Sequence, residues 1–202
     1  MLEERVYLNI GAIQERSIAN GPGERFVLWL QGCLLNCPGC INPEFQPLVK
    51  RVILSVEEVF ERITKVKGIE GVTFTGGEPM LQAKALALLS EKLKKTGLTL
   101  MCYTGYTLEE LKTFNNYWIE KLLSNLDILI DGPFILEKKA SLPWRGSSNQ
   151  RVYFLTPTYQ HLQKFVESPL REIEFIVDSK GFLVTGVSFE ELLLKLRETL
   201  KR

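Results

Sequence analysis

The chain has 202 residues, with 25 Lys and Arg against 24 Asp and Glu, for a formal net charge of +1. At roughly 150 residues per domain this length fits a single domain with a real core. A charge so balanced excludes a strongly basic nucleic-acid coat and an acidic tail protein. The hydrophobic fraction of 45% and charged fraction of 24% exclude disorder as the main state.

The first residues, MLEERVYLNI, carry acids where a secretion signal needs bases. No apolar run approaches the ~20 residues of a membrane helix, so a cytoplasmic protein without membrane or nucleic-acid partners is expected. Phe26–Leu30 reads as a buried strand. Ser55 opens a helix, with Glu58 completing a capping box and Val56, Val59, Phe60, Ile63 and Val66 forming an apolar face. Val72–Thr75 is a short strand ending in Gly76-Gly77, and Leu81, Ala85, Leu88, Leu89 and Leu93 mark the next amphipathic helix. Leu98–Tyr103 is a strand, Thr107 with Glu110 caps another helix, and Asp127–Asp131 is a strand stopped by Gly132-Pro133. Phe134–Gln150 has no period and reads as a long loop, the kind that usually carries function. Val152–Leu155, Ile173–Val177 and Phe182–Thr185 read as strands, and Ser188 with Glu191 caps a last, Leu-rich helix. This alternation argues for a parallel α/β sheet with right-handed crossovers. Periodicity leaves an open sheet and a curled partial barrel both standing. In either, chemistry gathers at the C-terminal strand ends, where the candidate motifs lie.

Cys33, Cys37 and Cys40 have the spacing C-x3-C-x2-C. A loop this short can aim three thiolates at one centre, and Pro38-Gly39 suits a wrap that turns backbone N–H groups toward anionic sulfur. Thiolates select zinc, copper(I) or iron–sulfur clusters. Three readings compete: a four-iron cluster with one iron left open, a zinc site, or buried inert cysteines. Structural zinc needs a fourth ligand. The other candidates, His161 and Cys102, are remote in sequence. Cys102 in the apolar run LTLMCY reads as a small core residue, and His161 in TYQHLQK as a surface residue.

An open iron can bind a chelating amino acid. Where that is the methionyl part of S-adenosylmethionine, one electron into the sulfonium yields a 5′-deoxyadenosyl radical. Such a site needs close backbone approach, which Thr75-Gly76-Gly77-Glu78-Pro79 offers at a strand end, with a carboxylate able to accept from an ammonium. A plain βα loop is the competing reading of that segment.

At this point the chain resembles the radical S-adenosylmethionine superfamily. More narrowly, it resembles the family of proteins that activate anaerobic ribonucleoside-triphosphate reductase. The matching stretches are Asn20–Arg25, Gly32–Cys40 with Asn42, Thr75–Pro79, Tyr103–Tyr106, Leu129–Phe134 and Trp144–Gln150, within about residues 16 to 151. The resemblance implies that Cys33, Cys37 and Cys40 ligate a 4Fe-4S cluster. Gly39, Cys40 and Ile41 would lie against S-adenosylmethionine, and Gly76, Gly77 and Glu78 would hold its methionyl amino group. Thr104 and Asp131 would contact the cofactor or a cation, with a turn-initiating role as the alternative for Asp131. Trp144–Gln150 would line a partner groove or an anion contact, unless its amides simply bond the local backbone.

By the same resemblance the protein is a glycyl radical enzyme activase. Its radical takes hydrogen from a glycine of the anaerobic ribonucleotide reductase large subunit, and a flavodoxin- or ferredoxin-type donor supplies the electron. The fold expected is α/β, a partial (β/α) barrel of about six parallel strands with helices outside. It would be one domain over 1–202, with 1–155 the matched core and 156–202 an extension. The alternatives are the same radical chemistry on another peptide or small molecule, an electron carrier, and a zinc-stabilised binding module. The chain departs from the resemblance in residues 152–202, which have no counterpart in short members of that family. Gly39 stands where much of the superfamily has an aromatic.

Overall fold

The computed structural model of the protein describes residues 5–169, 172–178 and 181–187. In chain order the first strands are β1 (Tyr7–Ser17), β2 (Arg25–Leu30), β3 (Val52–Ser55), β4 (Gly71–Gly76), β5 (Thr99–Tyr103) and β6 (Ile128–Asp131). They are followed by β7 (Lys139–Leu142), β8 (Arg145–Ser147), β9 (Arg151–Phe154), β10 (Glu172–Asp178) and β11 (Gly181–Val187). The helices are α1 (Val56–Lys65), α2 (Ala83–Lys94), α3 (Leu108–Thr113) and α4 (Tyr117–Asn125).

Side chains alternate across a strand, so each central strand has two faces. On one face Phe26, Leu28, Leu30, Val72, Phe74, Leu100, Cys102 and Leu129 join buried residues of all four helices in a single core. The other face carries Arg25, Val27, Trp29, Thr73, Thr75, Met101, Ile128 and Ile130, all buried by other means. Met101, Ile128 and Ile130 pack with Trp144, Tyr159 and Val166. Because both faces are covered, all six residues of β2 are buried, and from Phe26 to Leu30 the strand reads as a continuous apolar run.

The principal sheet has seven strands in the order β3-β1-β2-β4-β5-β6-β9. The α/β class stands, but the expected count of about six parallel strands needs correction. Among the described strands, parallel pairing joins only β2, β4, β5 and β6. β1 is antiparallel to β2 and to β3, and β9 is antiparallel to β6. The reason is connection length. A parallel return needs a crossover of a dozen or more residues, usually a helix. The 18–24 turn is too short for one, and the chain between β6 and β9 folds instead into the small antiparallel pair β7–β8.

Both capping boxes form. Glu58 N–H donates to Ser55 Oγ at 3.2 Å while Ser55 N–H donates to Glu58 Oε2 at 2.7 Å, and Thr107 and Glu110 repeat the arrangement. The expected helix from Leu81 begins as a 3-10 turn over Pro79–Gln82 before α2. β1, β3 and α4 have no counterpart in the sequence reading. β1 breaks its alternation at Gly11, where the register shifts and the Phe45 ring lies 2.4 Å from the place a Cβ would take. The two strands expected near residues 173–185 pair as the β10–β11 hairpin. The helix expected from Ser188 lies outside the described residues.

Candidate functional site

At the C-terminal ends of β2, β4 and β5, on the face away from the helices, the chain encloses a cavity of about 360 Å³. Cys33, Cys37, Gly39, Cys40, Ile41, Gly76, Gly77, Glu78 and Thr104 all line it. Asp131 does not. Its carboxylate is fully buried, accepts from Leu108 N–H at 2.7 Å and pairs with Arg151 Nε at 3.0 Å. It caps α3 and braces β9, and its bonds run to residues distant in sequence and not into the turn that follows it.

The cysteine loop leaves β2 at Leu30 and is fastened at its root. Gly32 N–H donates to Phe45 O at 2.8 Å and Cys33 N–H to Gln46 O at 2.9 Å. Leu35 N–H points at Cys33 Sγ, 3.5 Å away, a main-chain donor directed at sulfur as the wrap requires. Gly39 has φ +70°, a left-handed conformation that suits glycine. The three thiols are half-buried. Burial pushes the Cys33 and Cys40 thiols up, with backbone donors pulling them back. As placed, no three His, Cys, Asp or Glu side chains among the described residues form a group that could hold a metal ion. Cys102, fully buried in the helix-side core, has its thiol pushed well up by burial. His161 is exposed.

The glycine pair serves close approach, first of all between main chains. Gly76 has φ +102°, and a Cβ there would stand 2.4 Å from Leu30 N. Gly77 N–H donates to Leu30 O and Glu78 N–H to Gly32 O, both at 2.8 Å. The strand end is thereby locked against the root of the cysteine loop. Glu78 is then closed in by three donors. Oε1 accepts from Met80 N–H at 2.9 Å and Thr104 Oγ1 at 2.8 Å, and Oε2 from Gly105 N–H at 2.8 Å. Burial pushes its carboxyl up to about 7 despite these bonds.

The Trp144–Gln150 segment mostly bonds its own neighbourhood. Gln150 Oε1 accepts from Gly146 N–H at 2.8 Å, and Asn149 Nδ2 donates to Pro133 O at 2.8 Å. Arg145 turns away to Val166 O and Gln150 O. Trp144, Gly146 and Gln150 nevertheless form part of the cavity wall. Sequence reasoning passed over Trp29, Tyr103, Asn20 and Thr185 as lining residues. Alternation from the helix-facing residues would have put Trp29 and Tyr103 on the cavity side. Nothing local marks Thr185.

A family of 4Fe-4S single cluster domains matches residues 19–153. The chain is also similar to two curated proteins named anaerobic ribonucleoside-triphosphate reductase-activating protein. The one from Vibrio cholerae is 32% identical over 154 residues, covering 69% of this chain and 93% of that protein. The one from Pasteurella multocida is 34% identical over 155 residues, covering 69% and 92%. QueE from Escherichia coli aligns in structure over 51% of this chain and 53% of its own, at 21% identity and TM-score 0.41. The fold class and cysteine-lined cavity thus belong to a 4Fe-4S single cluster protein. Within that class, the chain belongs to the family of anaerobic ribonucleoside-triphosphate reductase-activating proteins.

Proposed function

We propose that this chain is a radical S-adenosylmethionine activase, acting in the cytoplasm on a glycine of an anaerobic ribonucleotide reductase. Cys33, Cys37 and Cys40 hold the 4Fe-4S cluster through their thiolates. The observation that carries the reading is the donor set of the cavity. Its described lining includes three cysteines, no histidine and no fourth cysteine. Three thiols on one short loop at this cavity are the soft donors that would hold such a cluster, and with only three protein ligands it would keep a site for a small chelating molecule. When bound, the cluster and S-adenosylmethionine supply a 5′-deoxyadenosyl radical able to take hydrogen from a glycine Cα.

The protein's own residues do the rest. Leu35 N–H faces Cys33 sulfur and favours its anionic form. Glu78, oriented by Thr104 and the Gly105 and Met80 amides, fixes the strand end that would receive the methionyl ammonium. The missing side chain at Gly77 lets the main chains of Gly32 and Phe45 pack against it, and Gly39, Gly77 and Ile41 present their exposed atoms to the cavity. Trp29, Tyr103, Trp144 and Leu35 line the space and exclude water, which protects a radical from side reactions. A flavodoxin- or ferredoxin-type donor supplies the electron. Asp131 is left as a brace in this reading. Helices on one face of the principal sheet and the cavity on the other support reading it as part of a barrel, and we read the chain as one domain.

The test is to reconstitute the protein with iron and sulfide under anaerobic conditions. It is then mixed with the reductase, S-adenosylmethionine and a one-electron reductant. A glycyl radical signal on the reductase, with 5′-deoxyadenosine formed, is the expected result. A colourless, zinc-only protein that leaves S-adenosylmethionine intact overturns the reading.

A further inference from the structure

The β10–β11 hairpin begins at Glu172, beyond the family match that ends at residue 153. It is nevertheless part of the cavity, because Thr185 lines it beside Asn20 and Ala19. Two contacts seat it. Glu174 accepts from Ser17 Oγ and from Ile18 N–H, the latter at 3.2 Å, at the end of β1. Thr185 Oγ1 donates to Asn20 Oδ1 at 3.2 Å.

Asn20 itself is held rigidly. Its Nδ2 donates to Ser17 Oγ at 2.9 Å, and its carbonyl accepts from Thr73 Oγ1 at 2.7 Å. Thr73 in turn accepts from the buried Arg25 at 2.7 Å. A carboxamide and a hydroxyl, side by side on a cavity wall, retain capacity beyond these bonds. The Asn20 amide has a second N–H, and its oxygen and the Thr185 hydroxyl each accept more than one bond. A side-chain carboxamide offers the same donor and acceptor pair as a peptide unit. An extended polypeptide presents its N–H and C=O groups to such a pair whatever its side chains. A glycine in that segment adds no bulk where the wall is close.

We infer that the β10–β11 hairpin is a specificity wall of this cavity. Glu174 latches it to β1, and the Asn20–Thr185 pair reads the main chain of the polypeptide segment that enters. The inference rests on the proposed activase reading and names the element of this chain that selects its protein substrate. Glu174 is a positioning residue, acting through the hairpin.

The experiment uses the full, cluster-loaded chain. Thr185→Val keeps the shape and removes the hydroxyl. The expected result is a KM for the reductase raised roughly two- to tenfold, the worth of one neutral hydrogen bond, with kcat held. Glu174→Ala raises the same KM, leaves partner-free cleavage of S-adenosylmethionine at the wild-type rate, and increases deuterium uptake over residues 172–187. Glu174→Gln, whose single amide oxygen accepts from Ser17 or from Ile18 but not from both, gives a KM and a deuterium uptake between those of wild type and Glu174→Ala. Wild-type KM in both Thr185→Val and Glu174→Ala overturns the inference. So does unchanged deuterium uptake in Glu174→Ala, a result that does not depend on the reductase. If the wild-type protein cleaves S-adenosylmethionine but puts no radical on the reductase, the activase reading fails while the exchange measurement still judges the latch.

Discussion

The two ends of the central parallel strands are both rich in polar groups, yet they are built oppositely. At the N-terminal end, buried Arg25 donates to Thr73 Oγ1 at 2.7 Å, Val72 O at 2.8 Å, Thr99 Oγ1 at 3.0 Å, Thr99 O at 3.1 Å and Pro22 O at 3.2 Å. Beside it Asp127 accepts from Lys94 at 2.9 Å, from Leu100 N–H at 2.8 Å and from Thr156 Oγ1 at 2.8 Å. The polar groups there answer one another, and the cluster serves to hold the strands together. At the C-terminal end the thiols of Cys33, Cys37 and Cys40 stand half-buried on a cavity. Main-chain bonds fasten the loop at its root and leave the sulfur side open. Polarity closed on itself is stability, and polarity directed into a cavity is capacity to bind.

The separation of these roles is testable, beginning with the open end. Cys37→Ala should reduce bound iron and 5′-deoxyadenosine formation to background. Its urea midpoint without the cluster should shift by no more than about 0.5 kcal/mol in stability terms, as for a half-buried loop position outside the packed core. Iron assays and unfolding curves on the same preparation check both halves. Full turnover in this variant would overturn the ligand assignment.

Arg25→Leu should do the reverse. It strips the donors from Val72 O, Thr99 O and Pro22 O, and unsatisfied buried acceptors make a loss of roughly 3 kcal/mol or more. The molecules still folded should retain their iron stoichiometry. Chemical denaturation and iron content per folded molecule decide the matter.

Glu78 belongs to both ends' logic, being closed by hydrogen bonds yet on the cavity wall. Glu78→Gln places an NH2 against one or more of its three donors and should destabilise by about 1–3 kcal/mol. The wild-type carboxyl is raised in the fold from 4.5 to about 7. Below pH 4.5 both folded and unfolded chains carry the proton, so this contribution is fully present. As pH rises to about 7 the unfolded chain releases the proton first, and the contribution is lost, on the order of a few kcal/mol at most. Denaturation of the cluster-free protein between pH 5 and 7.5 should show stability falling from this group, and the fall should vanish in Glu78→Gln. The smallest effect is expected from Cys102→Ala, about 1 kcal/mol of lost packing with unchanged iron content. Loss of iron in that variant would place a fourth cysteine in the site.

Much of this was legible from residues alone, where the signal is local. Ser55 with Glu58 and Thr107 with Glu110 announce helix starts, because a cap is made within one turn of chain. Phe26–Leu30 announces a strand covered on both faces. β1 was not legible, since Gly11 and its bulge break the alternation that marks a strand. Phe134–Gln150 hid a small hairpin behind a lack of period, because β8 is only three residues long. In the site, the thiols and the glycine pair were found from spacing. Asp131 stood beside a Gly-Pro turn at a strand end, and residue type could not say whether its carboxylate faces the cavity or Arg151.

By itself the sequence determined the helix caps, the alternation of the central strands and the three-thiol spacing, because each is a relation between residues a few positions apart. Only the tertiary structure decided that Glu78 is held by Thr104 and Gly105, that Asp131 braces Arg151, and that Thr185 of the β10–β11 hairpin meets Asn20 at the cavity. Those relations span tens to more than a hundred positions of chain, and packing alone brings such groups within hydrogen-bond distance.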